Sequence, residues 1–229
     1  MTEFIFAPAK QPAVAIHQSH AQFPVRRIFC VGKNYADHVR EMGGDPKSDP
    51  PFFFTKPADA LVADGTTIPY PQMTDNLHHE AELVLAIGKG GAEISETDAL
   101  DHVWGYGAGN DLTRRDLQHD AKGAGRPWDM SKGFDNAAVC GALVPADQCK
   151  NVDASMIRAL VNQDVKQNST TAEMIWSVPA VIAYLSRFVE LQPGDLIFTG
   201  TPDGVGPLNK GDSCTVEIAG LPSVTVSIA

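Results

Sequence analysis

The segment "LHHEAELVLAIG" (residues 77–88) places two carboxylates, Glu80 and Glu82, at the mouth of an apolar run. Side chains at i and i+2 of a strand share a face, so both acids would point the same way. Like charges that close repel, and a carboxylate beside a core is costly unless it is paired or coordinates a cation. A hard dication such as Mg²⁺, Mn²⁺ or Ca²⁺ takes carboxylate oxygens and would satisfy both acids at once. The pattern alone also fits two solvated acids at a partly exposed strand end. A third acid, Asp111, closes the Gly-rich stretch "GYGAGND" just ahead of a helical segment. It fits either a third ligand or a helix cap. Three oxygen ligands would leave positions for water and substrate, as catalytic Mg²⁺ sites require.

Further residues could carry proton transfer or anion binding. His38 and Glu41 are spaced i and i+3, so a helix would put them on one face, where the carboxylate can orient and polarise the imidazole. An ordinary surface ion pair has the same spacing. His78 and His79 suggest zinc, but no Cys or further His stands at a matching distance, and a structural role is expected. "TGTPDGVGP" (residues 199–207) could form a backbone nest for an anion and lacks the nucleotide P-loop pattern. "RPWDMSKGFD" offers Arg126 and Lys132, either able to neutralise a substrate carboxylate. Asp98, Asp101 and His102 read as a solvated helix face.

The elements that would position these groups are mainly short strands. Twenty glycines and 16 prolines are spread through 229 residues, which favours a β-rich fold with long functional loops. Strands are expected at "VRRIFCVG", "PFFFTKP", residues 80–87 and "VWGYGAGNDLT", and at the start of "GDLIFTGTPDGVGPLNKGD", leading into its Gly/Pro loop. A hairpin is expected to turn at Asn162–Gln163, and another at the C-terminal Gly-Leu-Pro. Helices are expected from Asn34 as N-cap to Gly43–Gly44, in "SETDALDHV" with Ser95 as cap, from "TRRDLQ" with Thr113 and Asp116 approximating a capping box, and in "SVPAVIAYLSRFVEL" with Ser177 as cap. Prolines and the glycine pair around "DHVREMGGDPKSDP" mark that short helix as a candidate lid. No repeat or low-complexity linker appears, so residues 1–24 read as an N-terminal arm and 25–229 as one domain.

Composition narrows the function classes. The formal charge is −10 and 43% of residues are hydrophobic, enough for a full core. Lys and Arg do not cluster, which excludes a nucleic-acid face. No apolar run reaches membrane-spanning length. The start "MTEFIFAPAK" has no basic or long apolar region, so no targeting signal is expected. The four cysteines are irregularly spaced and read as thiols in a reducing, cytoplasmic compartment.

Taken together, "VGKNYADHVREMG", "PFFFTKP", "LHHEAELVLAIG", "GYGAGNDLTRRDLQ", "RPWDMSKGFD" and "GDLIFTGTPDGVGP" resemble the fumarylacetoacetate hydrolase superfamily, in that family's order from about Val25 to the C-terminus. The nearest flavour is its acylpyruvase and fumarylpyruvate hydrolase branch. The resemblance implies a mixed, β-rich α+β fold of the β-sandwich roll type, a homodimer and a Mg²⁺ or Mn²⁺ site. It implies Glu80, Glu82 and Asp111 as metal ligands, and His38 with Glu41 as a water-activating dyad on a mobile lid helix. Lys132 and Gln118 match residues facing the reacting centre. Arg115 and Thr201 match substrate-contacting positions, and Lys33 stands where relatives often carry Arg. A Lys there keeps the charge but loses the bidentate fork.

The implied activity is hydrolysis of a carbon–carbon bond in a ketonic substrate: a 2,4-dioxo acid such as fumarylpyruvate, cleaved to fumarate and pyruvate. Oxaloacetate decarboxylation and isomerisation of an unsaturated 2-oxo acid are alternatives, since both use an enolate that the same cation would stabilise. A non-enzymatic, metal-stabilised binding module would have no need of a His–Glu dyad beside the acids.

Overall fold

The computed structural model describes residues 4–43, 45 and 50–229. Strand is the main regular structure, most of it in two large sheets facing each other across the main core. The larger sheet has eight strands. Its central members are Arg27–Gly32, Asp195–Phe198, Ala81–Ile87 and Val103–Asp111, with Phe52–Lys56 beyond the first of these. The second sheet has five strands, including Met156–Val161, Asp164–Thr170, Ser213–Ile218 and Val224–Ile228.

The central strand Ala81–Ile87 is buried along its whole length, because both of its faces are covered. Leu83, Leu85 and Ile87 join the core between the sheets, with Ile157, Val216 and Val226. Val84 and Ala86 point the other way, into a smaller core with Ile28, Phe198, Val14 and Phe23. The last two come from an N-terminal hairpin, Ala13–Ala15 with Gln22–Pro24, laid against the outer face. Strands buried on both faces read as continuous apolar runs rather than alternating ones. By the same period of two, Glu80 and Glu82 share the side of Val84 and Ala86.

Four α-helices lie among the described residues: α1 (Ala36–Glu41), α2 (Arg115–Gly123), α3 (Asp129–Lys132) and α4 (Val178–Leu185). The last starts as its sequence implies, with Ser177 Oγ accepting from Ala180 N and Pro179 in the first turn. The hairpin at Asn162–Gln163 also forms, both residues taking positive φ (50° and 74°), as the tightest hairpin turns require.

Several sequence expectations are corrected. Asn34 does not cap α1. Its buried side chain donates to Thr199 O at 2.8 Å and Trp176 O at 3.0 Å, and accepts from Trp176 N at 2.7 Å. Three long-range partners outcompete one local cap. Gly43 ends α1 at φ +74°, while Gly44 and Pro46 of the candidate lid lie outside the described residues. Thr113 and Asp116 form no capping box. Asp116 instead accepts from Thr74 Oγ1 and Asp75 N, stapling a loop to α2. "SETDALDHV" makes only a 3-10 turn at Ala99–His102. His102 is buried, its Nδ1 2.8 Å from Lys89 O, so it is not part of a solvated face. The cysteines are unpaired, as expected.

Candidate active site

Strand register assembles the acids. Ala81 pairs with Asn110 and Glu82 with Gly109 across antiparallel neighbours, and Asp111 N donates to Glu80 O at 2.9 Å. Asp111 therefore lies opposite Glu80. One oxygen from each of Glu80, Glu82 and Asp111 lies within 4.8 Å of the others, and all three residues are buried.

Three cations converge on this cluster from distant segments. Lys132 Nζ, at the end of α3, lies 2.7 Å from both Glu80 Oε2 and Asp111 Oδ2. Lys56 Nζ, at the end of strand Phe52–Lys56, is 2.6 Å from Asp111 Oδ1 and donates to Leu112 O at 2.9 Å. Arg115, opening α2, donates to Glu80 Oε1 and Gln118 Oε1, each at 2.5 Å. Glu82 differs. Among the described residues it has no cationic partner, only the Gly200 N–H at 2.7 Å.

The acids respond accordingly. Burial pushes Glu80 up, but Lys132 and Arg115 together outweigh it and hold the carboxyl well below its usual range. Burial, reinforced by the charges of Asp111 and Glu80, pushes Glu82 well above the usual carboxylate range. An all-oxygen donor set, buried, with one acid short of positive charge, fits a hard dication. Glu80, Glu82 and Asp111 are the residues that would hold it. Lys132 stays an ammonium: burial opposes its charge, but Asp111 and Glu80 prevail and raise its pKa. It can donate and stabilise negative charge rather than accept a proton.

The dyad stands across the cavity. His38 Nδ1 lies 3.1 Å from Glu41 Oε2, and Glu41 Oε1 accepts from Gly204 N at 3.2 Å. The hydrogen bond from His38, helped by Gly204 and opposed by burial, holds Glu41 below its ordinary value. A carboxylate there can accept a hydrogen bond from Nδ1–H, the tautomer in which Nε2 carries the lone pair. In the loop of residues 199–207, expected as a backbone nest for an anion, two separate N–H groups serve the protein's own carboxylates: Gly200 donates to Glu82 and Gly204 to Glu41.

One cavity of about 470 Å³ is lined by His38, Glu80, Glu82, Gln118 and Lys132, and by the expected substrate contacts Lys33, Arg115 and Thr201. Asp111 lies beneath it, fully buried, and Glu41 backs His38 from an adjoining outer cavity.

His78 and His79 are structural. Burial first, then Arg115, pushes His78 down to about 4. The neutral ring offers Nδ1 to Arg115 Nε at 3.4 Å. His79 Nδ1 lies 3.1 Å from Gln167 Oε1.

Two contributors escaped sequence reasoning. Lys56 looked like the end of a strand; a lone Lys closing "PFFFTK" was the available signal. Gln167, in a polar hairpin strand, gave none. Buried, it accepts from Ala81 N at 2.9 Å and donates to Thr201 Oγ1 and Pro202 O, each at 2.8 Å. It thereby ties the acid-bearing strand to the Gly/Pro loop.

The comparisons agree with this geometry. The profile described as fumarylacetoacetate (FAA) hydrolase C-terminal matches residues 27–229. A fumarylpyruvate hydrolase of Ralstonia sp is 44% identical over 184 residues, 80% of this chain and 95% of the relative. The mitochondrial oxaloacetate tautomerase FAHD1 of Homo sapiens is 40% identical over 203 residues, 89% and 91% of the two chains. The crystal structure of fumarylpyruvate hydrolase from Pseudomonas aeruginosa, in complex with Mn²⁺ and pyruvate, superposes with a TM-score of 0.97 at 48% identity, covering 99% of each chain. A β-rich fold, a buried three-carboxylate cluster and a match across residues 27–229 place this chain in the fumarylacetoacetate hydrolase family.

Proposed function

We propose that this chain is a metal-dependent hydrolase that cleaves the C3–C4 bond of a 2,4-dioxo acid, with fumarylpyruvate, giving fumarate and pyruvate, as the best-fitting substrate. The observation that carries the reading is one cavity lined by both the Glu80–Glu82 acids and His38, with Glu41 behind the imidazole. Fumarylpyruvate hydrolases are among its relatives in sequence and in structure.

A divalent cation, Mg²⁺ or Mn²⁺, held by Glu80, Glu82 and Asp111 supplies Lewis-acid stabilisation of negative charge developing on the substrate's 2-oxygen. The residues of the chain do the rest. His38, held by Glu41, accepts a proton from water through Nε2, and the water oxygen bonds to C4. Lys132 and Gln118 stabilise the resulting oxyanion. Two of the Lys132 ammonium protons face Glu80 and Asp111, which leaves a third donor for this role. When the C3–C4 bond breaks, its electron pair passes to C3 and C4 becomes the carboxyl of fumarate. The His38 imidazolium returns the proton to C3, completing pyruvate. Arg115, fixed by Glu80 and Gln118, with Thr201 and Lys33, orients the substrate.

A second reading has its own support: a relative of 40% identity is an oxaloacetate tautomerase. Proton movement or decarboxylation next to a carbonyl needs the electron sink but no hydrolytic water. Assaying fumarylpyruvate, acetylpyruvate and oxaloacetate side by side with Mg²⁺ and with Mn²⁺ separates the two. Turnover of oxaloacetate alone would sink the hydrolase reading.

The proposal includes a homodimer in the cytoplasm, with no nucleic-acid or membrane partner. Phe53, Tyr184 and Phe188 form an aromatic cluster, ring centroids 5.4–6.3 Å apart, with Phe188 67% exposed. That surface supports pairing with a second copy, and sedimentation at two concentrations tests it. The unpaired cysteines support a reducing compartment. No helix among the described residues is long and apolar enough to cross a membrane.

A further inference from the structure

A second cavity adjoins the one holding the acids at Lys132. Phe54, Trp128 and Lys132 line both, and the outer one has a volume of about 850 Å³. Between the two stands an aromatic wall: the Trp128 ring lies 5.0 Å from Phe52 and 5.7 Å from Phe54, edge-on to both. Arg126 sits on the rim of the outer cavity. Its backbone N–H donates to Ala121 O at 2.8 Å, which anchors the loop carrying it to the end of α2. Lys56, Arg115 and Lys132 are already paired with carboxylates. Arg126 pairs with no carboxylate among the described residues, although Asp129 lines the same rim.

We infer that the outer cavity is the acyl subsite, selecting a flat, unsaturated chain that ends in a carboxylate, and that Arg126 is the specificity-determining residue receiving that carboxylate. This rests on the hydrolase reading above and adds the acyl group to it. A planar conjugated chain running outward from Lys132 can lie against the aromatic rings, whose faces attract flat groups over broad contact. The chain's far end then meets a guanidinium, whose planar fork matches a carboxylate with two parallel hydrogen bonds. In a chain of net charge −10, an anionic substrate needs such a local cation to offset the surrounding field. An acetyl group has neither a conjugated chain to lie on the aromatic wall nor a carboxylate for Arg126.

The test compares kcat/KM for fumarylpyruvate with that for acetylpyruvate in the Mg²⁺-loaded protein. Arg126→Gln lowers the ratio of the two by roughly 10- to 100-fold, the worth of a charge-assisted hydrogen-bonded pair. Arg126→Lys restores part of it, because the charge remains and the fork is lost. A parallel fall on both substrates, leaving the ratio in place, overturns the inference. So does a selective loss in Lys33→Gln rather than Arg126→Gln, which would put the far carboxylate in the inner cavity. Wild-type protein that cleaves acetylpyruvate and not fumarylpyruvate overturns the subsite and leaves the hydrolase reading standing. Protein that cleaves neither removes both.

Discussion

The acidic cluster and the His38–Glu41 dyad face one cavity but are held by different means. Glu82 and Asp111 sit on adjacent central strands whose register is set by buried residues on both faces, and Glu80 directly precedes the first of them. Slipping one strand by a residue would turn every side chain to the opposite face. Lys56, Lys132 and Arg115 then lock two of the three acids. The dyad stands on α1, six residues long with no side-chain cap, too short to be stable alone. Among the described residues, its side chains and C-terminal end meet other elements by hydrogen bond through Gly204 N to Glu41 and Lys122 Nζ to Met42 O at 3.3 Å, and His38 and Val39 are buried. Gly204 is required there, since at φ +85° a Cβ would lie 2.3 Å from Lys166 O. The acidic side of the site is fixed by strand register and buried ion pairs, and the side proposed to activate water rests on a six-residue helix.

The largest expected effect comes from removing the acid that lacks a cationic partner. Glu82→Ala should abolish metal binding, seen by calorimetry with Mn²⁺. Hydrolysis and any oxaloacetate turnover should fall together, by more than the roughly 10²–10⁴-fold worth of one general base. Retained Mn²⁺ affinity would break the contrast at its acidic end.

His38→Ala should lower fumarylpyruvate cleavage by roughly 10²–10⁴-fold, leave Mn²⁺ affinity in place, and reduce oxaloacetate decarboxylation much less. Equal, modest losses on both substrates would mean that the imidazole only shapes α1. The isomerase or decarboxylase reading would then move ahead.

Lys56→Met tests how much the acidic side depends on its buried ammonium. Leaving Asp111 without that partner should destabilise the metal-free protein by about 3–5 kcal/mol, read from urea unfolding. A cost under about 1 kcal/mol would show that Lys132 alone suffices for Asp111.

The smallest effect is a pH dependence. Glu82 has its folded pKa raised above the ordinary 4.5, by burial first and then by Asp111 and Glu80. The stability it contributes to the metal-free protein is therefore present below about pH 4.5 and lost as pH rises through the folded value. A bound dication displaces that proton, so binding should release protons and tighten as pH rises. The gap in Tm between Mg²⁺-loaded and metal-free protein should widen with pH. A constant gap, or no proton release across buffers of different ionisation enthalpy, would contradict this.

The amino-acid sequence by itself determined the central strands, the hairpin at Asn162–Gln163 and the Ser177-capped helix, because each depends on local period, turn chemistry or a cap three residues away. It also marked Glu80 and Glu82 as an anomaly, two acids where a strand should be apolar. What only the tertiary structure decided were the partners. Asp111 meets Glu80 through register. Lys56 and Lys132 reach Asp111 from segments remote in sequence. Asn34 and Asp116 leave their expected caps for distant partners, and His102 is drawn into the interior. Local sequence specifies which hydrogen bonds a residue can make. Burial decides which it must make, because an unpaired polar group costs more inside than a missed cap costs outside.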